Sequence, residues 1–377
     1  MTGAAGPAGP TRGGGADTKH NGDAASVQSQ GKDIMIALQR LKPLACVAVA
    51  ALTSTLALSG SALSAELTKF RYALIANPGI WDAAVINAMD RNFFADEGLE
   101  VELISPNSPA DGLKLVASGG AELATAHSTD VIIARSKDLP VVSIATNHQT
   151  GTTGVLVPAE SGVKDLKDLE GKNVGVTGIP FNKVMLEHSL QTAGADLSKV
   201  NIVTVGFTQM PLLLSKRIDA LGDAISWDEP PIYNVQINKP ADDKSTYTYF
   251  TFTDYGVPRF YTFGLVAGEE ALGKNPDLYR AFLRAWRKGV EWMMANPAEA
   301  ADGVIKHVPS ISKEEGVVSL KEIARISVSP ETEANGIGWQ DAGVWEKQEK
   351  FMLENGLIST DVDVSKAVTN DYLKPAP

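Results

Sequence analysis

VKDLKDLEGKNVGVTGIPFN, residues 163–182, carries a strand-to-helix turn whose parts are each marked by their residues. Lys164-Asp165-Leu166-Lys167-Asp168-Leu169 reads as a short polar helical turn, closed by Gly171-Lys172. Val174-Gly175-Val176 has the apolar character of a buried strand, and Thr177-Gly178-Ile179-Pro180 breaks it. A helix is expected from Phe181, with Pro180 or Asn182 suited to its first turn. A strand feeding a glycine loop and a helix N-terminus leaves free backbone N–H groups at the strand's carboxyl end, where open α/β sheets hold ligands. Many α/β loops share this form, so the stretch alone predicts an α/β fold and no particular ligand.

At 377 residues the chain is long enough for two domains, each with its own core. A hydrophobic content of 44% and a charged content of 21% fit a soluble globular protein. The net charge of -11 supplies no basic patch for nucleic acid and no attraction to an anionic membrane. A single cysteine, Cys46, excludes an internal disulfide framework and a cysteine-based metal site. Residues 1–34 are rich in Gly, Ala, Pro and polar residues without apolar period, and are expected to be disordered. From Met35 the character changes. Arg40 and Lys42 form a basic start, Leu44 to Leu58 is apolar and small, and Ser59 to Ala65 offers small residues for cleavage. Residues 35–65 therefore read as a secretory signal peptide, with the periplasm as destination; the apolar run is short for a membrane span. An N-terminal anchor helix is the alternative. Cys46 lies near the start of the apolar run, so cleavage after Ala65 removes it. The exported remainder stays acidic, which argues weakly against an anionic cargo.

The folded part begins at Leu67. Phe70 to Ile75 reads as a strand, Asn77-Pro78-Gly79 as the turn after it, and Ile80 to Arg91 as a helix. Leu99 to Leu103 alternates as a second strand, and Ser108-Pro109 opens the next helix. Ala121 to Ala126 is a short strand delivering His127-Ser128-Thr129-Asp130, and Val141 to Ala145 is another, delivering Thr146-Asn147-His148 as a loop. A weak internal repeat supports two lobes. LKLVASGGAELATAHSTD (113–130) and LLLSKRIDALGDAISWDEP (212–230) both run apolar helix, polar turn, short strand and serine-containing loop. The chain is expected to enter the second lobe near Val155 and to leave it near Phe263, the two crossings that a hinge requires. Helices are expected over Asp277 to Met294, Ala298 to His307 and Trp339 to Asn355.

Four stretches in this order carry a resemblance: LKDLEGKNVGV within 166–176, NFFADEGLEVEL (92–103), the run from Tyr255 to Asp302, and the ending from Trp345 through VTNDYL. Together they cover nearly all of residues 67–373. They resemble the ABC-importer periplasmic solute-binding proteins of the nitrate, taurine, alkanesulfonate and thiamine-pyrimidine-precursor superfamily. The resemblance implies a two-lobed periplasmic binding protein of type II: two αβ lobes joined by a two-segment hinge. Its lobes would be residues 66–154, residues 155–263, and a return with C-terminal helices over 264–377. It also implies a monomer that captures a small-molecule solute and hands it to an ABC permease and ATPase at the inner membrane. Asn77-Pro78-Gly79-Ile80-Trp81 departs from the Pro-Asn-Pro-Asp-His of the thiamine-precursor branch, which leaves the ligand more open than the fold.

Candidate ligand-binding residues sit at the expected strand ends: Asn77, Trp81, Asp82, His127, Ser128, Asp130, Asn147, Thr177, Gly178, Phe181, Trp227 and Asp228. Trp81 follows a strand and turn, as at the mouth of a cleft, or else packs its own lobe. Trp227, beside two carboxylates and two prolines, is hard to explain as core. Asp82, Asp130 and Asp228 are ligands for a solute bearing donors, or simply first-turn helix acids. His127 and His148 have no metal spacing and read as loop hydrogen-bonders or neutral donors, so no metal or cofactor is expected. A sulfonate or nitrate site would need Arg, Lys or several hydroxyls; among these loops Lys183 is the one cation. Backbone N–H groups at Gly178 keep aliphatic sulfonate, taurine or nitrate as the alternative, but a flat heterocycle such as an aminopyrimidine fits better. An enzyme resembling the fungal pyrimidine synthase is the rival of another class. That chemistry is associated with a Cys-rich motif, and the exported chain would have no cysteine, so no enzyme is expected.

Overall fold

The computed structural model describes residues 66–374. The expected disordered segment, the signal peptide and Cys46 lie outside them. The strands are β1 (Thr68–Ala73), β2 (Leu99–Ile104), β3 (Leu123–Ala126), β4 (Val141–His148), β5 (Thr153–Pro158), β6 (Asn173–Val176), β7 (Asn201–Thr204), β8 (Ala220–Ile225), β9 (Tyr247–Thr251) and β10 (Thr262–Gly268). They form two five-stranded sheets, ordered β2-β1-β3-β10-β4 and β7-β6-β8-β5-β9. In each sheet the first three strands run parallel, and the fourth is antiparallel to its neighbours on both sides. Strand β3 of one sheet and β8 of the other hold the same place, which is what the internal repeat predicts. The chain crosses between sheets twice, after β4 and after β9. The molecule is thus a two-lobed α/β protein.

The helices that position the site are α1 (Ala83–Asp90), α2 (Pro109–Ala117), α3 (Ser128–Arg135), α4 (Pro180–Thr192), α5 (Glu229–Gln236), α6 (Pro276–Ala295), α7 (Pro297–His307), α8 (Lys313–Ile326) and α9 (Ala342–Glu354). Helix α2 starts where Ser108 Oγ accepts the Asp111 N–H at 3.2 Å, ahead of Pro109. In α6 Tyr279, Phe282, Trp286, Val290 and Met293 recur at helical spacing and are buried against the first sheet. Phe282 stacks on Phe70 of β1, with ring centroids 4.5 Å apart. Each such side chain contributes about 1.5–3 kcal/mol by burial, so α6 is held by its apolar face rather than by propensity.

Several expected boundaries move. The helix expected over Ile80 to Arg91 splits into a 3-10 turn, Ile80–Asp82, followed by α1. Strand β4 continues through Thr146, Asn147 and His148, because Thr262 and Gly264 of β10 pair with His148 and Thr146. Those residues are not a loop. The helix expected from Trp339 begins at Ala342, after Asp341 accepts the Val344 N–H at 3.2 Å. Helix α8, which no apolar run flagged, starts at a reciprocal cap: Ser312 accepts from the Glu315 N–H and Glu315 accepts from the Ser312 N–H. Among the described residues no helix is long and apolar enough to cross a membrane.

Candidate functional site

Strand β6 delivers Thr177-Gly178 to the start of α4, as the quoted stretch predicts. Gly178 takes φ +92, a left-handed turn that disfavours other residues. An unexpected residue holds this loop. Asp223 of β8, 3% exposed, accepts from the Thr177 N–H at 3.1 Å, from the Thr177 hydroxyl and from Asn182 Nδ2 at 3.1 Å. The carboxylate fixes the loop's donors across two neighbouring strands.

An aromatic cluster joins the two lobes. Trp227, from the loop after β8, sets its ring 6.3 Å from Trp81 and 5.7 Å from Phe263. His148 lies 5.6 Å from Trp227 and 4.9 Å from Phe263, and His127 meets Phe263 edge-on at 5.0 Å. Phe263 takes φ +53, a strained conformation for a bulky residue. Its N–H donates to His127 Nδ1 at 3.2 Å, so that nitrogen is an unprotonated acceptor. Burial lowers the pKa of His127 and drives that of His148 to about 3, with His127 adding to the shift on His148. Both are neutral at physiological pH. Trp81 and Trp227 lean at 54°, whereas a ring held between two others needs parallel faces about 7 Å apart, twice the contact distance. The two tryptophans touch each other in this structure. Three buried nitrogens of the cluster, Trp81 Nε1, Trp227 Nε1 and His148 Nε2, have no hydrogen-bond partner among the described residues.

Acids border the cluster. Asp82 is 3% exposed and accepts the Gly79 N–H at 2.9 Å; burial raises its pKa to about 7. Enclosure raises Asp228 to about 6, with the nearby Glu315 carboxylate adding to it. Glu229 is raised well above the ordinary carboxylate range by burial and then by Asp228, although it accepts the Ile225 N–H at 2.6 Å. Glu229 was not among the expected site residues; its signal is the run Asp228-Glu229-Pro230-Pro231, in which either acid can face inward. Two cavities open beside the tryptophans. One, about 560 Å³, lies against Trp227, Thr152, Ser226, Tyr247 and Tyr249. The other, about 330 Å³, lies against Trp81, Gly79, Asp228, Glu315 and Ser319.

The remaining expected residues have other surroundings. Asn77 is exposed on the turn after β1. Ser128 Oγ lies 2.9 Å from the Tyr261 carbonyl and 2.6 Å from Gln348 Oε1, and accepts the Tyr261 N–H at 3.1 Å. Asp130 accepts the His127 N–H at 3.0 Å, as a first-turn helix acid does. Asn147 Oδ1 accepts from Ser327 at 3.1 Å and is 5% exposed within β4. Phe181 is packed edge-on to Phe260 and Phe351. Trp81, His127 and Trp227 thus gather around Phe263, Asp228 lines the cavity beside Trp81, Asp82 caps the Gly79 turn, and Thr177 and Gly178 form the β6 loop. No group of residues suited to a metal ion occurs among the described residues.

The formylaminopyrimidine-binding protein of Halalkalibacterium halodurans is 35% identical to the chain over 285 residues, covering 73% of this chain and 83% of the relative. A yeast relative from Saccharomyces cerevisiae, 4-amino-5-hydroxymethyl-2-methylpyrimidine phosphate synthase THI11, is 25% identical over 260 residues, covering 68% of this chain and 75% of its own. Binding proteins and synthases therefore share this ancestry. In fold, the chain matches the periplasmic aliphatic sulphonate binding protein SsuA from Escherichia coli at TM-score 0.61 and 13% identity, over 82% of this chain and 92% of that one. The family model described as "NMT1/THI5 like" matches residues 82–300. Family model and relatives agree: the chain belongs to the NMT1/THI5-like family.

Proposed function

We propose that the protein is the periplasmic solute-binding component of an ABC importer and captures a flat nitrogen heterocycle, of the thiamine-pyrimidine-precursor kind, between its lobes. The lobes are residues 66–154 with 264–377, and residues 155–263. The observation that carries the reading is the pair Asp228 and Glu229, half-buried directly after Trp227, with Asp228 lining the cavity beside Trp81. Half-buried acids whose pKa is raised are relieved by a partner that donates hydrogen bonds or carries positive charge, as ring amino groups do. The unpartnered indole and imidazole nitrogens suit a ring that also offers acceptors. A sulfonate or nitrate would meet carboxylates here. The formylaminopyrimidine-binding relative supports the same class of solute.

Binding without chemistry is the favoured role. His127 is engaged by the Phe263 N–H and His148 Nδ1 lies 3.1 Å from Thr262 Oγ1, so both histidines act in holding the cluster. The tryptophans must part for a ring to enter between them, so capture is coupled to lobe motion.

A thermal-shift screen over pyrimidines, other heterocycles and sulfonates tests the reading. A cognate solute at about 100 times Kd stabilises the protein by about 2.7 kcal/mol. Trp227 is 1% exposed, so truncating it also removes core packing; Trp81, half-buried, is the cleaner probe. Trp81→Ala should weaken binding of the best heterocycle at least about tenfold, about 1.4 kcal/mol. A screen in which only sulfonates shift the melting temperature refutes the heterocycle.

A further inference from the structure

Helix α6 carries Arg280, Arg284 and Arg287 at spacings of four and three, on one face. With Tyr372, Leu373 and Lys374 they enclose a cavity of about 300 Å³ that shares no residue with the interlobe site. Four cations thus gather at one cavity of a chain whose net charge is -11. Their partners are unequal. Arg284 is balanced by Glu97, with Nε donating at 2.9 Å and Nη2 2.8 Å away. Lys374 Nζ stands 3.4 Å from Asp371. Arg280 has a side chain only 15% exposed, yet the nearest carboxylate oxygen, on the exposed Asp277, is 3.6 Å from Nη1. Its Nε is buried without a partner among the described residues, and its guanidinium lies 5.2 Å from the Tyr372 ring. Arg287 donates Nε to the Ile337 carbonyl at 2.9 Å and has no ion pair among the described residues. Burial lowers its pKa, with Glu291 acting weakly against that.

A guanidinium drawn partly out of water with one distant counter-charge, as at Arg280, or with none among the described residues, as at Arg287, is under-compensated, and a bound anion offsets that cost. We propose that this cavity is an oxyanion site in which Arg280 and Arg287 hold a phosphate-class group, with Tyr372, Leu283 and Leu373 as the apolar wall for whatever the group is attached to. The planar fork of a guanidinium matches two phosphate oxygens, which a scattered lysine cluster does not. Free phosphate and the headgroup of an anionic phospholipid present the same chemistry, and the experiment separates them. The site stands independently of the solute bound between the lobes.

Titration calorimetry of the whole chain with inorganic phosphate, at constant ionic strength, should show one saturable site. Removing both guanidinium groups in Arg280→Gln/Arg287→Gln should weaken it by about tenfold or more for each. Arg284→Gln, whose charge Glu97 already balances, should lose less. Co-sedimentation with phosphatidylglycerol vesicles, but not with phosphatidylcholine, that disappears in the double variant identifies a headgroup. Phosphate binding without vesicle retention identifies a free anion. The proposal is overturned if neither phosphate nor phosphatidylglycerol binds, or if the folded double variant binds either as tightly as the parent. Arg280 makes no hydrogen bond among the described residues, so Arg280→Gln alone carries the test should the double variant fail to fold.

Discussion

Asp82 is a carboxyl that the fold encloses with one backbone donor, the Gly79 N–H, and burial lifts its pKa to about 7. Its unfolded value is about 3.9. The folded state therefore holds the proton more tightly, and the associated stability is complete below about pH 4 and lost as pH rises through about 7. Asp82→Asn keeps an acceptor for Gly79 and cannot ionise. The parent's melting temperature should fall relative to this variant between pH 4 and pH 8, as scanning calorimetry would read. Parallel curves would mean that Asp82 ionises freely. Sequence marks Asp82, Trp81, Trp227 and Asp228 as site candidates, because they fall at the ends of expected strands, where open α/β sheets hold ligands. It does not mark Asp223, whose partners Thr177 and Asn182 lie more than 40 residues upstream in the chain. It marks Phe263 only as a crossing between lobes and not as a site residue, since a left-handed backbone at a phenylalanine has no local signature.

At the scale of elements, propensity and packing can be set against each other in α6. Gly289 lies mid-helix, where alanine is favoured by about 1 kcal/mol. A Cβ there would stand 2.2 Å from the Ala84 carbonyl oxygen and 3.0 Å from the Ala88 Cβ, because the backbones of α1 and α6 touch at this point. Packing wins when the obstacle is backbone. Gly289→Ala should destabilise the protein by about 1–3 kcal/mol despite its better helix propensity, seen as a lower urea midpoint. A midpoint at or above the parent's would refute the close approach. The helices themselves are largely legible: Pro109, Pro180, Pro276 and Pro297 each open one, and the apolar face of α6 is regular. Helix α8 is not read, although Ser312 and Glu315 have the spacing of a capping box, because its apolar residues are spread among charged ones. Strand β4 is read too short, since Thr146, Asn147 and His148 look like a polar loop until β10 pairs with them.

Whole-molecule behaviour turns on how α8 spans the two lobes. Leu320, Ile323 and Ile326 pack into the core of the first sheet, while at the helix start Glu314 Oε1 accepts the Ala241 N–H of the second lobe at 2.8 Å. Glu315, one residue on, adds to the rise that enclosure gives the Asp228 pKa. A bond between groups on opposite lobes exists only while the lobes are together, so it favours the arrangement seen here over one with the lobes apart. The chain passes between the sheets only after β4 and after β9, so any movement of one lobe against the other has to be absorbed at these two crossings. We expect saturating heterocycle to reduce the radius of gyration in small-angle scattering while helix content stays constant. A hydrogen bond to a charged group contributes about 1.5–3 kcal/mol, less where solvent reaches it. Glu314→Ala should therefore weaken solute binding by about tenfold, equivalent to about 1.4 kcal/mol. The loss should fall on dissociation, because the encounter with an open cleft does not use Glu314. Stopped-flow tryptophan fluorescence separates the two rates, Trp81 and Trp227 being at the closing surface. An unchanged dissociation rate in a folded Glu314→Ala protein would show that Glu314 caps its own surroundings and plays no part in holding the lobes together.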